Sequence, residues 1–73
     1  MVHNEVKNKL IEYILEEEAD IAYCEEQISE NYNRRDEYLY SISQSREAIA
    51  TYYDKLMELG LTREEIDREI AYA

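Results

Sequence analysis

Apolar residues recur along the first part of the chain at Val6, Leu10, Ile14, Ile21, Cys24 and Ile28. Steps of three, four or seven place all of them on one helical stripe, which predicts a first helix over about 4–30. Ile11, Leu15 and Ala22 widen the stripe beyond a narrow coiled-coil seam, as expected of a helix that meets more than one neighbour. Residues 31–36 interrupt the pattern with types that tolerate turns, and Asn33 or Asp36 is the expected cap of the next helix. A second stripe, Tyr38, Ile42, Ser45, Ile49, Tyr52, Leu56 and Leu59, predicts that helix over about 34–59. Gly60 then stands where a left-handed residue closes a helix. Thr62 with Glu65 three positions on makes a capping box, and Leu61 with Ile66 makes a hydrophobic staple. A third helix over about 63–72 follows, with Ile66 and Ile70 as its core contacts.

The heptad phase of the first helix runs on through the break, at positions 14, 21, 28, 35, 42, 49 and 56. One long rod would therefore also satisfy the periodicity. Paired in parallel, such rods would place Glu17, Asn31, Arg35 and Ser45 in the seam against their own copies, which is costly. An antiparallel hairpin removes most of these conflicts. It sets Ile14 against Ile49, Ile21 against Ile42 and Leu10 against the turn from Tyr52 to Leu56. It also brings Glu17 or Glu18 towards Arg46, so that Glu17 and Arg46 form the expected structural ion pair. The short third helix can cover only one end of two long helices. The expected fold is thus an all-α antiparallel helical hairpin with a short C-terminal helix, dimerising into a bundle of the four-helix type.

Composition agrees with this picture. Seventy-three residues make a single helical domain, 1–73, near the size at which one core barely holds a fold, so a homodimer is expected. With no proline, one glycine and neither phenylalanine nor tryptophan, the chain lacks the punctuation of a β fold. Cys24 is a lone thiol among isoleucines and reads as a small buried hydrophobe. The N-terminus shows no basic region followed by an apolar run, so the expected setting is cytoplasmic. Catalytic readings find little: the one histidine, His3, lies near the terminus, and no HExxH, CxxC or phosphate-cradling glycine motif is present. Nor does any Glu-x-x-His pair occur, so no enzyme, no metal and no cofactor are expected.

Charge supplies the functional clue. The formal net charge is −10, which repels both nucleic acid and anionic membrane and attracts a basic protein surface. Residues 10–33 hold eight acids and no lysine or arginine. Helical projection gathers Glu12, Glu16, Asp20, Glu26 and Glu30 into a ridge away from the apolar stripe, with Tyr23 among them. Glu18 and Glu25 fall inside the broad apolar stripe, where it meets solvent or a second subunit. Of the eight tyrosines, Tyr23 and Tyr40 lie on polar sides and are candidates for partner contact, whereas Tyr38, Tyr52 and Tyr53 are expected to pack in the bundle.

Carboxylates four apart on a helix repeat about every 6 Å, comparable with the phosphate spacing of a nucleic-acid strand. In charge, size and helical content the chain resembles the small acidic DNA-mimic inhibitors of phages and some bacteria, a class-level likeness without a diagnostic motif. The resemblance implies a protein that occupies the basic nucleic-acid-binding surface of a partner through Glu12, Glu16, Asp20, Tyr23, Glu26 and Glu30. The other expected function is a structural or regulatory helical adaptor that meets a partner helix through exposed apolar residues such as Ile11 or Leu15. A DNA-reading helix-turn-helix around Gly60 is disfavoured, because acids surround Arg63 and Arg68.

Overall fold

The computed structural model describes residues 2–73, with side chains from Asn4 onward, so the reading of His3 lies outside the described side chains. Three α-helices make up the fold: α1 over Val2–Glu30, α2 over Arg35–Glu58 and α3 over Arg63–Ala71. A short 3-10 turn, Tyr32–Arg34, joins the first two. The predicted hairpin therefore forms, and α1 and α2 pack side by side in a body of 47 × 20 × 19 Å.

The chain reverses without the caps expected of it. Neither Asn33 nor Asp36 closes α2, whose N-cap is Arg34 with no side-chain cap bond. The backbone supplies the turn instead: the Asn31 N–H donates to the Gln27 carbonyl at 2.7 Å, and the Arg34 N–H donates to the Asn31 carbonyl at 3.1 Å. Asn33 is consumed by the 3-10 turn, while Asp36 enters the first turn of α2, where its charge suits the helix dipole. The reversal also moves Asn31 and Arg35 from a would-be seam into solvent.

The second junction follows its sequence signals closely. Gly60 adopts φ +104°, in the left-handed region that side chains disfavour. Its N–H donates to the Met57 carbonyl at 3.0 Å, and the Leu61 N–H donates to the Leu56 carbonyl at 3.2 Å, the paired bonds of a Schellman motif. Thr62 then caps α3: the Glu65 N–H donates to the Thr62 hydroxyl at 3.1 Å, and the Thr62 N–H donates back to the Glu65 carboxylate at 3.1 Å. The Thr62 backbone N–H foremost, and then the Thr62 hydroxyl, hold the Glu65 carboxyl below its ordinary range.

These junctions fold α3 back across the open end of the hairpin. Leu10, Ile11, Ile14, Leu56 and Ile66 form the core there, with Ile49, Tyr52, Leu59, Leu61 and Ile70 packed against it. Ile11, which widens the α1 stripe, is only 6% exposed because α3 lies over it. The half nearer the turn has two helices only, and its buried side chains are Cys24, Ile42 and Ser45. Protection is thus concentrated at one end of the molecule.

Candidate functional site

Every side chain of the acidic ridge is exposed: Glu12, Glu16, Asp20, Tyr23, Glu26 and Glu30 all face solvent on α1. From Glu12 to Glu30 the ridge extends about 27 Å at 1.5 Å per residue. The helix beneath it is unbroken. Among the described residues, the ion pairs are Lys7 with Glu69 at 3.3 Å, Lys9 with Glu12 at 3.8 Å and Arg34 with Glu37 at 2.9 Å. Glu12 alone in the ridge thus has a cation beside it, at a long distance and in the open, while Glu16, Asp20, Glu26 and Glu30 have none. Tyr23, 58% exposed, presents its ring among the carboxylates, and Tyr40 on α2 is 68% exposed.

The expected ion pair of Glu17 with Arg46 is not made. Its two members fall on opposite sides of the hairpin seam. Glu17 stands one turn from Tyr13, whose ring packs on Tyr52 at 5.6 Å between centroids. Arg46 stands two turns from Tyr53, on the other side of α2, and lines a groove with Glu25, Ile28 and Ile42. One helical step, about 100°, separates the two sides on each helix. A stripe read from sequence fixes which residues face the partner helix, but it leaves open to which side each neighbour leans.

Tyr53 marks the side that carries α3. Its hydroxyl donates to the Asp67 carboxylate at 2.7 Å, and the Arg63 guanidinium lies 5.5 Å from its ring centroid. Burial, then the bond to Asp67, push the phenol up to about 12, and the charges of Asp67 and Glu18 act in the same direction against Arg63. The folded value lies above the ordinary 10.0, so the stabilisation is complete below pH 10 and is lost as pH rises towards 12. Absorbance titration of the phenolates is expected to show one late step near pH 12 that disappears in Tyr53→Phe. An unaltered profile in that variant would contradict the assignment.

The adaptor reading needs revision at its chosen residues. Ile11 is buried under α3 and Leu15 is half-buried beside the same core, so substituting either perturbs the fold before any docking face. Besides Tyr40, the exposed large apolar side chains of the hairpin's other helix are Leu39 and Met57, each 40% exposed. The sequence signal that could have found them is a second heptad stripe on α2, displaced by one residue from the core stripe.

Among the described residues no group of three or more His, Cys, Asp or Glu side chains is placed to hold a metal ion. Nor is any helix long and apolar enough to cross a membrane. No protein-family model, curated protein or solved structure matches this chain.

Proposed function

We propose that this chain is a non-enzymatic, acidic protein-binding protein that occupies the basic nucleic-acid-binding surface of a partner, in the manner of a DNA mimic and as an inhibitor. It works as a homodimer, a bundle of the four-helix type, with the ridge as its binding face. The observation that carries the reading is the exposure of Glu12, Glu16, Asp20, Glu26 and Glu30 along one unbroken helix, with only Lys9 among the described residues to offset them. Such a row of uncompensated like charges costs stability, with each like pair four apart contributing roughly 0.2–0.5 kcal/mol against the helix. A basic partner converts that cost into attraction, and a row of carboxylates can follow cations arranged to track a phosphate backbone.

The test is capture by the immobilised chain from the lysate of its host, with elution by a salt gradient and by added DNA or RNA. A basic partner released steeply as salt rises, and displaced by nucleic acid, is the expected result. A partner retained at high salt and indifferent to nucleic acid would overturn the reading. It would favour the helical adaptor instead, for which the exposed Leu39 and Met57 on α2 are the supporting observation.

A further inference from the structure

α3 covers one flank of the hairpin at the open end only, and the rest of that flank is a groove. Towards the turn it is lined by Glu25, Ile28, Leu39, Ile42, Ser43 and Arg46. It continues past Arg46 and Ala50 to Tyr53, Met57 and the start of α3 at Arg63. Along α2 this flank follows a stripe of its own, Leu39, Ser43, Arg46, Ala50, Tyr53 and Met57, advancing alternately by four and three as a coiled-coil seam does. All six are exposed or half-exposed. The stripe extends about 27 Å.

From this geometry we infer that the stripe is the dimer face, and that α2 of a second copy lies antiparallel along it. The inference names the surface of the dimer proposed above and rests on that reading. Charge favours a second copy of this chain as the occupant. The chain carries 18 acids against 8 bases, yet the groove sets Glu25, Glu47 and Asp54 against Arg46 and Arg63, so two strongly acidic chains meet where each is nearly neutral.

The stripe is also complementary to itself about a twofold axis between Arg46 and Ala50. Leu39 meets the partner's Met57, and Ser43 meets the partner's Tyr53, pairing large with large and small with aromatic. Arg46 lies over the partner's Ala50, whose small side chain admits its stem, with the head between the partner's Glu47 and the partner's Asp54. Isologous contacts of this kind make each pair twice. The groove side of α1, at Glu25, is roughly 140° round the helix from Glu12 and about 100° from Glu26, the nearest ridge member. The ridge therefore stays free.

Mass by light scattering over a range of concentrations, with circular dichroism to verify folding, tests the face. The full chain should show twice its 8.8 kDa. Arg46→Glu sets acid against acid twice, and is expected to raise the dimer dissociation constant by at least about tenfold. Glu47→Arg with Asp54→Arg should weaken the dimer as well, although it lowers the net negative charge, because Arg46 then meets arginines. All three changes together restore opposite charges and should restore the dimer. A dimer of the unaltered chain that Arg46→Glu leaves as tight as before would overturn this face while the dimer stands. The same holds if the three changes together fail to restore it. A mass of 8.8 kDa for the unaltered chain at every concentration would overturn the dimer itself.

Discussion

Glu12, Glu16, Glu26 and Glu30 changed together to glutamine are expected to abolish partner capture and to raise the melting temperature. The two effects have one cause. All four side chains are exposed on α1, and among the described residues only Glu12 has a cation nearby, at 3.8 Å. The substitutions therefore remove few favourable contacts within the chain, and they relieve repulsion between Glu12 and Glu16, Glu16 and Asp20, and Glu26 and Glu30. The relief totals on the order of 1 kcal/mol. Set against the few tenths that the exposed pair of Lys9 with Glu12 supplies, the net gain raises the midpoint by several degrees, at about 4–8 °C per kcal/mol for a chain of this length.

Binding moves in the opposite direction. Four exposed ion pairs to a basic partner, at up to about 1 kcal/mol each, represent a loss approaching a thousandfold, since 1.4 kcal/mol is tenfold. Thermal melts followed by circular dichroism and partner affinity by calorimetry measure the two effects on one variant. Affinity unchanged in the variant would remove the ridge from the mechanism. A lowered midpoint would show that the ridge is held by contacts within the fold, which is the ordinary role of a charged solvated face.

What the sequence reveals about this fold depends on how local the determinant is. The left-handed Gly60 and the capping box of Thr62 and Glu65 were legible in the sequence, because the bonds that fix them join residues within a few positions of one another. The hairpin turn was legible as a break in apolar periodicity, but not in its capping, since the turn closes through backbone carbonyls that any residue provides. Interhelical detail was least legible. The width of the α1 stripe announced a second neighbour without identifying it, and α3 over Ile11 turned out to be that neighbour. The side on which Arg46 stands depends on how α2 is rotated about its axis, which no single stripe specifies. The ridge was legible as a face because exposure follows from helical phase alone, and all its members do lie in solvent.

Leu56→Ala is expected to be the most damaging single truncation in the chain. Leu56 is fully buried where α1, α2 and α3 meet, in a cluster with Leu10, Ile14 and Ile66. Its carbonyl also accepts the Leu59 N–H at 3.1 Å and the Leu61 N–H at 3.2 Å, so the side chain packs the core beneath the motif that turns the chain into α3. Truncating a buried leucine costs about 2–5 kcal/mol. A domain of 73 residues has roughly 4–11 kcal/mol in total, at 0.05–0.15 kcal/mol per residue. The loss is therefore a large share of the whole, and the midpoint is expected to fall by about 10 °C or more. Melts belong at one fixed chain concentration, because the midpoint of the proposed dimer would depend on it. Ile42→Ala is the comparison that locates the effect, since Ile42 is buried in the two-helix half where no third helix seals the site. At a chain concentration low enough to dissociate the proposed dimer, that cavity is open to solvent and collapses or hydrates more readily than one enclosed on three sides, so the smaller fall is expected there. Equal falls at that concentration would contradict the difference between the two halves.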